Sequence, residues 1–242
     1  MWQDKKNLIE IGVFLDHSDS VYKEITMSRW NIAAAQYARQ HGSVDDHVEH
    51  HLRFVDRAVR LQCDLLVFPE LSLTGPGTAM LPPPPDDTQL APLLLAAQTY
   101  GITIVAGLPL EKHGQRHKGL ALFAPYRESI LRYPQGSGAS LTPGEKRLTI
   151  IETPADALDL DPQATLFTSS QDVGDNRWRQ SIGTLQRFAH KYAIAVLMAN
   201  ARSGSALWDE RGQLIVRADK GELLLTGSLD RRGWQGDIIP LG

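Results

Sequence analysis

From Trp30 onward the chain alternates short apolar runs of strand type with segments whose apolar residues recur at helical spacing, and that alternation leaves few architectures open. WNIAAAQYA at 30–38 is a buried-type strand rich in small residues; DDHVEHHLRFVDRAVRLQ after it carries Val48, Leu52, Val55 and Val59 on one helical stripe. Ser43 stands before Asp45 and Asp46, which places an N-cap and a favourable dipole charge at that helix start. CDLLVFPE is a second buried-type strand, stopped by Pro69 and Glu70. LPPPPDD at 81–87 excludes helix and central strand, because each proline lacks an N–H and forces the residue before it into extended backbone.

Leu90, Leu93, Leu94 and Ala97 mark a second helix, and ITIVAGLP, KGLALFAP, SILRY, LTIIE and ATLFTSS read as further strands. Trp178, Ile182, Leu185 and Ala189 line one face of a third helix, and the strand IAVLMANA follows. The tail SALWDERGQLIVRADKGELLLTGSL breaks at Glu-Arg-Gly and Lys-Gly, as hairpins do. Together these predict one layered α/β domain over 27–242. Residues 1–26 show no clear period and precede a second methionine, Met27; they are expected to be a disordered leader or to lie upstream of the true start.

Composition removes whole classes of function. With 25 Lys plus Arg against 28 Asp plus Glu, the formal charge of -3 gives no basic field to gather phosphates, so no nucleic-acid partner is expected. The single cysteine, Cys63, excludes an internal disulfide and a cysteine-rich zinc site, and fits a reducing cytoplasm. The longest apolar runs fall short of a membrane span, and Glu10 interrupts the only signal-like stretch, so neither membrane insertion nor export is expected.

Glu70 is the most informative acid, because it ends a hydrophobic strand where open α/β sheets place their ligands. A carboxylate there is partly desolvated, which suits it to general-base work; capping a loop is the plainer role. His47, His50 and His51 have a spacing that metal ions use, but with Leu52 and Val55 marking the buried face they are expected to be solvated. GSGASL at 136–141 lacks the spacing of a phosphate loop or a nucleophile elbow and reads as a flexible loop. Trp178 and Phe188 are expected in the core, with a ligand wall as the lesser alternative. No cofactor motif is present.

WNIAAAQYA, CDLLVFPELSLTG, ITIVAGLPL, MAN at 198–200, SALWDERGQLI and GWQGDIIPL together resemble the carbon-nitrogen hydrolase, or nitrilase, superfamily from Trp30 to Leu241. The resemblance implies an αββα sandwich, association into a homodimer, and a glutamate, lysine and cysteine acting on an amide or nitrile carbon. Glu70 matches the family glutamate. At the lysine position, after SILRY, stands Gln135, which brings no positive charge, so Glu70 is expected to lack its cation; Lys146 is the nearest lysine beyond. At the cysteine position, LTIIETPADAL offers Glu152 or Thr153. Cys63 opens the strand that Glu70 closes, about 20 Å away at strand rise, and is expected to be a small buried hydrophobe.

Two functions follow. One is a superfamily member impaired in chemistry that retains a small amide-like ligand or a partner. The other is an amide hydrolase that uses Glu70 with Thr153 or Ser140 as nucleophile.

Overall fold

Strands that are apolar on both faces need cover on both sides, and this chain supplies it with four layers. The computed structural model describes residues 30–38, 41–75, 80–134, 139–141, 148–150 and 164–241. The elements run β1 (Trp30–Gln36), α1 (Val44–Arg60), β2 (Leu65–Val67), α2 (Asp87–Tyr100), β3 (Thr103–Lys112), β4 (Gln115–Phe123), β5 (Leu131–Pro134), β6 (Ala139–Leu141), β7 (Leu148–Ile150) and β8 (Leu166–Gln171). They continue with α3 (Asp175–Tyr192), β9 (Ala195–Asn200), β10 (Ala206–Trp208), β11 (Leu214–Arg217), β12 (Leu223–Asp230) and β13 (Gly233–Pro240).

The strands form one sheet ordered β13-β12-β1-β2-β3-β4-β5 and a second ordered β11-β10-β9-β8-β7-β6. In each sheet a parallel centre, β1-β2-β3 or β7-β8-β9, is flanked by antiparallel strands. The period of two along each strand sorts side chains between cores. Ala33, Leu66, Ile104 and Ala106 pack with Phe54, Val55, Ala58, Leu90 and Leu93 beneath α1 and α2. Ile32, Ala34, Leu65, Val67 and Val105 meet Leu166, Ala195, Leu197 and Leu207 between the sheets. Phe167, Val196, Met198 and Trp208 pack on Leu185, Phe188 and Ala189 of α3. The order is therefore helices, sheet, sheet, helix, the αββα sandwich that the resemblance implied. Each fully buried large apolar side chain contributes about 1.5–3 kcal/mol.

The helix starts follow from their caps. The Asp46 N–H donates to Ser43 Oγ at 3.1 Å while the Ser43 N–H donates to Asp46 Oδ2 at 2.8 Å, a reciprocal box that satisfies two otherwise orphaned donors. Asp86 and Gln89 repeat it at α2, just after the proline run. Part of GSGASL departs from expectation, since Ala139–Leu141 pairs with β7 as a strand. Among the described residues, no helix is long and apolar enough to cross a membrane.

Candidate functional site

The carboxyl ends of β1, β2, β8 and β9 meet at one end of the sandwich, where hydrogen bonds pass from sheet to sheet. Ser170 Oγ donates to the Phe68 carbonyl at 2.7 Å. The Glu70 N–H donates to the Gln171 carbonyl at 3.4 Å, and the Arg202 N–H donates to the Tyr37 carbonyl at 2.9 Å. The Ser205 N–H donates to Gln36 Oε1 at 2.9 Å, and Gln36 Nε2 donates to the Asp219 carbonyl at 2.6 Å. Buried Gln36, Ser169, Ser170, Asn200 and Ser205 all lie here. Buried polar side chains are costly unless paired, so their concentration at one end makes it the candidate functional end.

Glu70 reaches this end on a tight turn. Phe68, Leu71 and Leu73 are buried on either side of it and anchor the turn. Leu71 holds a left-handed φ of 51°, a conformation that costs a non-glycine residue on the order of 1–2 kcal/mol and persists only where its surroundings impose it. The turn lies directly on Gly107 of β3, where a Cβ would run into the Leu71 nitrogen and the Pro69 carbonyl. The Gly107 N–H donates to Ser72 Oγ at 3.1 Å and the Leu73 N–H to the Gly107 carbonyl at 3.0 Å.

The Glu70 side chain is only 12% exposed, and its Oε1 lies 2.5 Å from Lys118 Nζ. This corrects the expectation that Glu70 stands without a cation: β4 supplies one from outside the family pattern. The missed signal was a turn. His113 and Gly114 both have positive φ and close the β3-β4 hairpin, so Lys112 pairs Gln115 and, three pairs further back, Pro109 faces Lys118. Recognising His-Gly as a two-residue hairpin turn sets that register from sequence alone. Gln135, Lys146, Glu152 and Thr153 lie outside the described residues, and Ser140 is placed only as a position on β6.

Cys63 sits before β2, at the far end of that strand from Glu70, and is buried in the core under α1 and α2. Burial, with a smaller effect from Asp64, pushes its thiol up to about 12, so it stays protonated and poorly nucleophilic at neutral pH. The histidines overturn the solvated reading, because His47, His50 and His51 are all buried. The helix turns His50 and His51 toward Tyr37, whose ring meets His50 edge-on at 4.6 Å, while His51 stacks on Phe68 at 3.9 Å. His50 Nε2 lies 2.8 Å from Glu222 Oε1. Among the described residues, no three His, Cys, Asp or Glu side chains form a metal-binding group.

Phe188 is in the core against Phe167, as expected. Trp178 is not: half-buried at the start of α3, it lies against the loop after β9, its Nε1 donating to the Gly204 carbonyl at 3.2 Å.

Comparison with known proteins agrees with this architecture. Residues 31–137 match the carbon-nitrogen hydrolase family. The amidase from Nesterenkonia sp. superposes with a TM-score of 0.71 at 19% identity, over 83% of this chain and 90% of that one. A double mutant of that amidase in complex with acrylamide matches with a TM-score of 0.71 at 19% identity, over 84% and 92%. A mutant in complex with butyramide gives 0.70 at 19% identity, over 83% and 91%.

Proposed function

Because residues 31–137 match the carbon-nitrogen hydrolase family, we propose that the Glu70 end of this chain binds a small amide-type molecule without that family's thiolate chemistry. The observation that carries this reading is Cys63. The sequence contains one cysteine, and it is packed into an apolar core at the wrong end of β2 with its thiol held protonated. A thiolate attack has no thiolate to use, and removing one member of a cooperative catalytic set can cost as much as removing them all.

What remains suits recognition. A primary amide presents N–H donors beside a carbonyl acceptor. The Glu70 carboxylate accepts from the first, and the Lys118 ammonium has N–H donors for the second besides the one given to Glu70. The pair lies on a turn fixed by buried neighbours and by hydrogen bonds to β3, so little ordering is left for ligand binding to impose.

Calorimetric titration of the full chain with butyramide, run beside an ammonia-release assay, tests the proposal. Binding in the millimolar range is expected, without release of ammonia. Lys118→Met is expected to weaken binding by about tenfold, the effect of one charge-assisted hydrogen bond. Ammonia release abolished by Glu70→Gln would establish an active amide hydrolase with Thr153 or Ser140 as nucleophile instead. Absence of both binding and release would reject both readings.

A further inference from the structure

A pocket opens at the same end of the sandwich, on the α3 side, and the amide reading gives it no role. We infer that it binds a small organic anion with a flat apolar body. The pocket has a volume of about 670 Å³ and is lined by Trp178 and Arg179 from the start of α3, by Gly204 from the loop after β9, and by Arg217, Asp219 and Lys220 at the end of β11 and beyond.

Charge gives the first argument. A protein with a formal charge of -3 gathers three cations here against one carboxylate. Asp219 occupies only part of the Arg217 fork, with Nη2 at 3.1 Å from Oδ1, and a guanidinium carries five N–H donors. The remaining donors and the two neighbouring cations favour a ligand bearing a carboxylate or another oxyanion.

Shape gives the second. The Trp178 indole is fixed by its hydrogen bond to Gly204, and the Arg217 guanidinium lies over the ring at 4.8 Å. Gly204 has a φ of +83°, and a Cβ there would collide with the indole nitrogen, so this close approach requires glycine. The Gly204 N–H donates to the Ala218 carbonyl at 3.1 Å, tying the β9 loop to the residue after β11. A stacked arginine and a locked indole present flat surfaces before any ligand arrives, which matches a planar body better than a compact ion.

This site is distinct from the Glu70–Lys118 pair, neither member of which lines it. Gln171 links the two regions through the backbone, its carbonyl accepting from the Glu70 N–H at 3.4 Å and from the Ala201 N–H at 3.1 Å, three residues before Gly204.

Benzoate is the probe and methyl benzoate, which has no amide for Glu70 to bind, its neutral counterpart, each titrated calorimetrically into the full chain. Saturable benzoate binding is expected, with methyl benzoate at least about tenfold weaker. Lys220→Gln and Arg217→Gln are each expected to weaken benzoate by about three- to tenfold, and Glu70→Gln to leave it unchanged. Lys220 is exposed, so its variant keeps the test independent of any disturbance to the Arg217 stack. Equal affinity for the two probes, indifference to both cation variants, loss of binding in Glu70→Gln, or no saturable benzoate binding would each overturn the inference.

Discussion

His51 makes the fold acid-sensitive by an amount that can be worked out. Its ring is wholly buried, stacked on Phe68, with Nδ1 2.7 Å from the His47 carbonyl. A carbonyl only accepts, so Nδ1 carries the proton, and Nε2, buried with no hydrogen-bond partner, is bare. Protonating Nε2 would place a charge in an apolar core. Burial therefore depresses the His51 pKa from 6.5 to about 3. The folded chain refuses a proton that the unfolded chain accepts, so the contribution is present above pH 6.5 and is lost as pH falls toward 3. At about 1.4 kcal/mol per pH unit, lowering the pH to about 5 removes about 2 kcal/mol of stability through this residue. His47, depressed mainly by burial as well, adds to the loss in the same direction.

Urea denaturation at about pH 7.5 and pH 5 reads the effect, with His51→Phe as the comparison, because phenylalanine keeps a flat ring against Phe68 and has nothing to titrate. The wild type is expected to lose about 2 kcal/mol more than the variant between the two pH values. Carboxylates titrate alike in both proteins and cancel. An identical pH dependence in the two would refute the reasoning, since it would mean that the folded chain accommodates the charged ring.

Further outcomes follow from the same geometry. Gly107→Ala should cost about 1–3 kcal/mol, because the added carbon meets backbone and not a movable side-chain end, and should weaken butyramide binding by displacing the Glu70 turn; thermal melts and titration check both. Cys63 should resist a thiol reagent in the native protein and react at once in urea; rapid native labelling would contradict its buried, protonated state. Lys118→Met should lower stability by about 1 kcal/mol or less, the lysine being 41% exposed and partly screened, with the loss read from urea midpoints. Analytical sedimentation is expected to show a homodimer, the association that the family resemblance implies; a monomer at micromolar concentration would remove that proposal alone.

The layers of this fold are legible because burial on both faces writes itself as continuous apolar runs and amphipathic helices write a period. Ile32 and Ala33 were readable as strand, yet only the tertiary arrangement shows that one faces the second sheet and the other faces α1. The place of Glu70 beyond a strand end was legible from CDLLVF before it, where an apolar run ends in a charge. Its partner Lys118 lies 48 positions away, and the contact depends on hairpin register, which the apolar pattern alone does not encode. The histidines were misread for a related reason. The stripe of Val48, Leu52 and Val55 defines the centre of the buried face but not its width, and the aromatic rings of Tyr37 and Phe68 widened it to admit imidazoles. Trp178 was misplaced because it lies within the first turn of α3, where an apolar residue faces the neighbouring loop as readily as the core.

The hydrogen bonds that cross between the sheets have a consequence for how such a protein changes over generations. Those described above run from backbone groups and from the side chains of Gln36 and Ser170. The seam between the sheets is thus closed largely by main-chain atoms, which every amino acid supplies. Most side-chain substitutions at this end therefore leave those bonds in place, so the surface around Glu70 can change in sequence from one lineage to the next while the two sheets keep their register.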